Sequence, residues 1–392
     1  MYLKSLQLKN FRNYKSASVS FDSGLNVLKG ENASGKTNLV EAVYLLGLGK
    51  SPRTANEKEL IKIGEEHAYV KAVVQKKYRS HTIEVFIDKS GKKIKIDGIP
   101  ALRAAELIGV LSVVYFSPDE LKFIKEGPAE RRKFLDIALS QQSANYFRTL
   151  QKYNRILKQR NKLLKTDGQN PHIGEMLSVW DGQLAAENAN LVLMRRNFLT
   201  DLGRSVAAIH DALTDGKEVL TLSYESDAEG DTVEELTAAQ LAVYEKNRDK
   251  DVQYQFTVSG AHRDDFKIGI NGNDARKIAS QGQQRTAALS ILIGELEMFK
   301  NETGEMPVLV LDDVLSELDE NRRKQLLSAT FATQTLLTCT EFNEEVPEKQ
   351  PKIFTVSQGT IKKKAAISPL FYCFYIKSSG SKMSTSSLFC KS

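Results

Sequence analysis

Cysteine is scarce in this sequence: only Cys339, Cys373 and Cys390 occur in 392 residues. Their odd number, with no C-x-x-C spacing, excludes a disulfide framework and a cysteine zinc site and fits a reducing compartment. No apolar run approaches the roughly 18 residues of a membrane-spanning helix. The longest candidate, Leu370 to Ile376, is far too short. Met1 to Asn10 alternate polar and apolar types and lack the apolar core of a secretory signal, so a cytoplasmic protein with no membrane association is expected. No internal repeat of solenoid length is present. Charge of either sign is hardly in excess: 55 Lys+Arg against 49 Asp+Glu leaves +6, which permits a polyanionic partner without demanding one. What is present is ordinary globular composition, 41% hydrophobic, in a chain long enough for two domains or one large core with an insertion.

The sharpest local feature is Gly30-Glu31-Asn32-Ala33-Ser34-Gly35-Lys36-Thr37. It follows a short apolar run, Leu25 to Leu28, and precedes Leu39, Val43 and Leu46 at helical spacing. A G-x-x-x-x-G-K-T loop between strand and helix is a phosphate cradle. Its glycines let successive N–H groups turn toward phosphate oxygens, and the following helix adds its positive end. Lys36 would reach the β- and γ-phosphates of ATP, and Thr37 would ligate Mg²⁺. The loop by itself fits kinases, GTPases and transporters equally well.

Val308 to Leu311 is a run of β-formers ending in Asp312-Asp313, as expected of a central parallel strand that delivers carboxylates at its C-terminal end. Asp312 would hold Mg²⁺ through water, and Asp313 stands where a catalytic base or water-orienting group belongs. Before this strand, Ser280-Gln281-Gly282-Gln283-Gln284-Arg285 opens a helical pattern. It resembles the signature of ABC ATPases, in which Ser280, Gly282 and Gln283 would contact ATP held by a second subunit. After the strand, Ser316-Glu317-Leu318-Asp319 resembles the D-loop of the same class, with Ser316 and Asp319 near the nucleotide. A helix cap would explain Ser280 alone and a polar turn Ser316 alone. In this order they select the ABC class over kinases and GTPases.

Lys36 and Ser280 lie 244 residues apart, far more than a transporter ATPase needs. Leu8-Lys9-Asn10-Phe11-Arg12-Asn13-Tyr14, Phe116-Ser117-Pro118, Arg131 to Asp136 and Gly260-Ala261-His262-Arg263-Asp264-Asp265 complete a pattern that resembles the RecF family from Tyr2 to about Lys364. Two departures stand out. Ala261 replaces a proline of that family, which is expected to loosen its turn. No histidine follows His262, so Thr338-Cys339-Thr340 occupies the place of the ABC switch histidine, and Asp313 is one methylene shorter than the usual glutamate.

Between Leu121 and Leu213 the pattern is largely helical, with Trp180, Leu184, Leu191, Phe198 and Leu202 at intervals of four or seven. From Arg148 to Lys165 there are seven basic residues and no acidic one. Helical spacing puts Arg148, Lys152, Arg155 and Lys162 on one stripe, which could follow a phosphate backbone or be a solvated face. The run His262 to Asp265 reads as a structural or signalling turn near the nucleotide, before a hairpin, rather than a metal or catalytic cluster.

The fold expected is an α/β head of ABC/SMC type built from both ends of the chain, with an inserted mainly helical lobe. Residues 1–120 would form its first part, 121–255 a short antiparallel helical arm, 256–364 its second part, and 365–392 a disordered tail. The resemblance implies an ATP-dependent homodimer that clamps double-stranded and gapped DNA at single-strand/double-strand junctions. With RecR, and RecO indirectly, it would support RecA loading in gap repair, replication restart and the SOS response. A slow, DNA-dependent, switch-like ATPase would follow. The alternative is an ABC-type ATPase subunit that drives a membrane or other partner without binding DNA.

Overall fold

A computed structural model of the chain describes residues 1–118, 122–344 and 350–363. The serine-rich segment beyond, with Cys373 and Cys390, lies outside the described residues. The phosphate loop leaves strand Leu25–Lys29, which is central to a six-stranded sheet. On one side it pairs in parallel with Thr335–Cys339, followed by Val308–Asp312 and Val113–Phe116. On the other it pairs in parallel with Lys352–Ser357, and Thr360–Lys363 closes that edge antiparallel. Every residue of Val308–Asp312 and Thr335–Cys339 is buried. Such strands are covered on both faces, which is why they read as unbroken apolar runs.

A second sheet is antiparallel, in the order Tyr14–Ser20, Tyr2–Phe11, His67–Gln75, Ser80–Asp88, Gly91–Ile96 and Ile99–Pro100. His67–Gln75 and Ser80–Asp88 alternate between buried and less buried residues, the signature of a sheet with one face on the core. Helix Lys36–Leu48 lies between the two sheets, and one core joins Leu39 and Val43 to Leu6 and Val70 of one sheet and Val310 and Leu336 of the other. Being covered all round, it has no polar face to display.

The middle of the chain is helical: Pro128–Gln142, Ala144–Asp167, Ile173–Thr214, Val233–Lys246 and Arg248–Tyr254. Ser143 ends the first of these through its N–H to Leu139 O and caps the next, its Oγ accepting from Tyr146 N at 3.2 Å. The 42 residues of Ile173–Thr214 make a rod of roughly 63 Å at about 1.5 Å per residue. Leu184, Leu191, Phe198 and Leu202 are buried along it, as their heptad spacing requires. The two long helices do pack against each other, but the second outruns the first. Its C-terminal half lies on Gln281–Thr303, so close at Gly294 that an added Cβ would meet Val206 Cγ2 at 2.8 Å. A three-stranded antiparallel sheet, Asn273–Asp274, Asp265–Ile270 and Leu220–Glu225, joins this lobe to the head. Its two-residue turn, Asn271-Gly272, has φ of 51° and 77°, the type I′ pattern of Asn-Gly hairpins.

Ion pairs lock the helices in register. Arg160 has no exposed side-chain surface and donates to Asp181 and Asp251, each at 2.7 Å, and to Thr257 Oγ1 at 2.8 Å. Burial alone would lower its pKa, but Asp181 and Asp251 outweigh this and raise it. Replacing Arg160 with methionine leaves two buried carboxylates facing one another. It is expected to cost about 3–5 kcal/mol of stability, read from the urea midpoint of the lobe's helical signal.

Candidate nucleotide-phosphate site

The residues Gly30 to Thr37 curl between strand Leu25–Lys29 and helix Lys36–Leu48. Lys36 Nζ donates to the carbonyls of Gly30 and Glu31 at 2.6 and 2.9 Å, aiming the ammonium into the loop's own concavity. The junction of the first two strands and the turn after Lys352–Ser357 brace this loop. Asn13 Nδ2 donates to Ser34 O at 3.1 Å, Tyr14 Oη to Gly35 O at 2.9 Å, and Gly359 N–H to Ser34 O at 3.0 Å. Neither Asn13 nor Tyr14 advertised this role in the sequence beyond its place in the opening motif. Arg12, beside them, forms a two-pronged pair with buried Glu41 of the helix at 2.9 and 2.6 Å.

Asp312 and Asp313 end their strand beside the loop. Asp312 Oδ1 accepts from Thr37 Oγ1 at 3.2 Å and Thr338 Oγ1 at 2.6 Å, and Oδ2 accepts from Tyr115 Oη at 2.9 Å. Thr338, at the place of the switch histidine, also accepts Asp313 N–H at 3.0 Å. A hydroxyl that can give and take one proton thus fastens both aspartates. Asp313 itself adopts φ +55°. Its pKa is raised, chiefly by burial and further by Asp312 and Glu317, with Lys36 opposing. That environment suits a proton acceptor better than an ordinary surface carboxylate. Cys339, next to Thr338, is buried and its thiol is pushed up to about 11, so it stays protonated.

Two observations test whether these residues fit a nucleotide phosphate with a divalent cation. Ser34 Oγ is buried with no hydrogen-bond partner, a donor left over for an oxygen supplied from outside. Gly30 passes so near the sheet that a Cβ there would meet Val356 O at 2.2 Å. The donor set, backbone N–H groups with Lys36 and Ser34, suits an anion. The pair Thr37 and Asp312 supplies the oxygens a hard cation takes. The residues fit the group.

Ser280, Gly282 and Gln283 lie elsewhere. Ser280 caps Gln281–Thr303 and forms a reciprocal capping box with Gln283. Gln283 Nε2 donates to Glu218 Oε1 at 3.0 Å, and Glu218 Oε2 meets buried His210 Nε2 at 3.2 Å. The far nitrogen of His210 lies 3.0 Å from Ser290 Oγ on the same helix. A carboxylate at the end of the long helix therefore holds the signature amide in place, a partnership that no motif announced. Among the described residues, no hydrogen bond or ion pair joins Ser280 to Gln283 with Gly30 to Thr37. The turn of Ser316 and Asp319 bridges the two regions. Ser316 Oγ donates to Asp313 O at 2.9 Å and Asp319 pairs locally with Arg322, while the Arg285–Glu317 pair and Arg322 Nε, donating to Thr286 Oγ1 at 2.8 Å, bind this turn to the signature helix.

The run Gly260 to Asp265 is a braced turn. His262 accepts from Tyr153 Oη at 2.7 Å and donates to Thr257 O at 2.9 Å, and burial lowers its pKa to about 4, so it is neutral. Arg131 pairs with Asp265 through two contacts of 2.7 Å. The expected loosening at Ala261 does not occur, because its N–H, which a proline would lack, donates to Asn188 Oδ1 at 2.6 Å. Arg148, Lys152, Arg155 and Lys162 are all exposed on helix Ala144–Asp167. Arg160 of the same basic stretch is turned inward.

An antiparallel sheet and a parallel sheet enclosing a phosphate-loop helix, with a signature helix and a helical lobe, define an ABC/SMC-type ATPase head. The sequence matches the RecF/RecN/SMC N terminal domain family over residues 2–363. It is 42% identical to the DNA replication and repair protein RecF of Lachnoclostridium phytofermentans, over 93% of this chain and all of that protein. It is likewise 42% identical to RecF of Clostridium tetani, over 92% of this chain and 99% of that one. A solved structure of the recombination mediator protein RecF-ATP in the RecFOR pathway superposes with a TM-score of 0.87 at 37% identity, covering 93% of this chain and 98% of that one. The Smc head of Pyrococcus furiosus, at 16% identity and a TM-score of 0.54 over 92% of this chain and 95% of that one, shares the fold alone. The chain belongs to the RecF family.

Gly30→Ala places a methyl group against Val356 O and must displace the loop. It is expected to weaken nucleoside triphosphate binding at least about tenfold by isothermal titration calorimetry, given the usual cost of overpacking.

Proposed function

We propose that the chain is an ATP-dependent DNA clamp: two copies sandwich two ATP molecules, close on DNA at single-strand/double-strand junctions, and open on hydrolysis. The observation that carries this reading is the separation of the two anion-facing helix starts. Gly30 to Thr37 and the aspartates would make one half of a nucleotide site, while the Ser280 turn, exposed at its N-terminal end, shares no hydrogen bond or ion pair with that loop among the described residues. A second copy supplies the missing half to each. Phosphates would lie against the loop N–H groups, Ser34 and Lys36. Thr37, directly, and Asp312, through water, would hold Mg²⁺, which would neutralise phosphate charge. Asp313 would take the proton of the attacking water. Ser280, Gly282 and Gln283 of the other copy would close over the terminal phosphate, with Ser316 and Asp319 alongside.

The relatives are DNA replication and repair proteins, and the exposed stripe Arg148, Lys152, Arg155 and Lys162 suits a phosphodiester backbone. RecR, with RecO behind it, would recruit RecA to gaps in the cytoplasm, during replication restart and the SOS response. Among the described residues no helix is long and apolar enough to cross a membrane. Hydrolysis would be slow, because the shorter Asp313 and the absence of a switch histidine leave the attacking water loosely held, and the clamp reading makes it DNA-dependent.

Size-exclusion light scattering with Mg-ATP and a gapped duplex tests the clamp. Wild type should double in mass on ATP and retain DNA, and Lys36→Ala should do neither. A wild type that stays monomeric and ignores DNA would favour a partner-driven ATPase subunit instead. The chemistry has its own check. Because Asp313 must be ionised to accept a proton and its pKa is raised, hydrolysis should climb as pH rises through that value and fall as the group protonates. Asp313→Asn should lower kcat by roughly 10²-fold or more and flatten this limb of the profile.

A further inference from the structure

A cleft of about 460 Å³ opens between the end of the phosphate-loop helix and the helical lobe. Leu48 and Ile108 face it from the head, Phe147 and Leu150 from helix Ala144–Asp167, and all four are only half-buried. Its charge is lopsided. Lys50, Arg132, Lys133 and Arg195 line it against a single carboxylate, Asp136, and Asp136 already accepts from Arg195 at 2.8 Å. Arg132 donates to two backbone carbonyls, of Arg263 and Asp264, and forms no ion pair among the described residues, though Asp265 and Asp136 lie near enough to act on its charge. Among the described residues Lys133 pairs with Glu130 alone, at 3.4 Å. Among the described residues Lys50 has no hydrogen-bond or ion-pair partner. Its pKa is lowered, first by burial and then by Lys133, with Asp136 opposing, and a bound anion would relieve the repulsion from Lys133.

A second cleft of about 560 Å³ adjoins the first at Asn154 and is lined by Arg103, Arg148, Lys152 and Arg155, with no acidic residue. Cations line both clefts, and the apolar side chains Leu48, Ile108, Phe147 and Leu150 belong to the first. A duplex presents only its sugar-phosphate rails to such a surface, since its bases are stacked inward. An unpaired strand can turn a base toward an aromatic wall while its phosphates follow the cations. A cleft of this volume accommodates a nucleotide.

Resting on the clamp reading above, we propose that this cleft takes an unpaired nucleotide of a DNA strand, its phosphate on Lys50 and Lys133 and its base against Phe147. The strand then runs out over Arg103, Arg148 and Arg155. The cleft, rather than the exposed helical stripe alone, tells a gap from a continuous duplex.

The test is fluorescence anisotropy of the full chain with ATP on labelled gapped duplex and on blunt duplex of the same length. Three proteins are compared: wild type, Lys50→Gln/Lys133→Gln and Phe147→Leu, each first shown to keep the wild-type melting temperature and circular dichroism. Both variants should lose about tenfold in affinity for the gapped duplex, the loss expected for one stacked base or two phosphate contacts. Blunt-duplex affinity should stay within about twofold. The lysine pair should also flatten the salt dependence of gapped-duplex binding by about one unit of slope, and Phe147→Leu should leave it alone. Equal losses on both DNAs, or no loss on either, overturn the cleft assignment while leaving the clamp standing. Failure of wild type to bind either DNA overturns the clamp and the cleft together.

Discussion

Asp312 is the point on which the head depends. Its buried carboxylate accepts three hydroxyl protons, from Thr37 after the phosphate loop, Thr338 on the neighbouring strand and Tyr115 on the edge strand. A charge this far from water is tolerable only while those donors stay in place. The carboxylate therefore holds together segments up to 275 residues apart. Parallel register does the rest, since Asp312 pairs with Thr338 and Thr338 with Leu28. The phosphate loop and both aspartates thus emerge at one level of the sheet's C-terminal edge, where open α/β sheets place their ligands.

In the lobe the same principle works with the sign reversed. Apolar helix seams have no direction and tolerate sliding, whereas a guanidinium accepts partners only along its fork. Arg195 is fully buried and donates to Tyr146, Tyr224, Asp136 and the carbonyl of Ala261. It fixes the long helix against its neighbour, the small sheet and the Gly260 to Asp265 turn together. Arg160 does so lower down. The lobe is consequently a stiff body, and its long helix rests directly on the signature helix. Gln283 is held by Glu218 from the far end of that rod. A load on the basic face of helix Ala144–Asp167 has a packed route to the signature turn. The exposed turn at Ser316 ties that turn in the other direction to Asp313.

Much of this was legible because it is local. The phosphate loop works through consecutive N–H groups and the start of one helix, so the eight residues Gly30 to Thr37 state their own geometry. The buried strands showed themselves as apolar runs, and Leu184, Leu191, Phe198 and Leu202 as a heptad seam. Helical spacing likewise put Arg148, Lys152, Arg155 and Lys162 on one exposed stripe. It could not tell Arg160 from its neighbours, because what distinguishes Arg160 is Asp251, 91 residues away.

The sequence by itself determined the class of protein, the phosphate loop, the aspartate pair and the signature helix, since each is written in contiguous residues whose backbone course follows from their own chemistry. Only the tertiary structure decided which hydroxyls hold Asp312, that the Ala261 N–H ties its turn to Asn188, and that the signature turn shares no hydrogen bond with its own chain's phosphate loop among the described residues. It alone assembled Lys50, Lys133 and Phe147 around one cleft. The physical reason is common to all four. The energy of a buried or desolvated polar group depends on partners delivered by distant segments, and those distances exist only once the sheets and helices have packed.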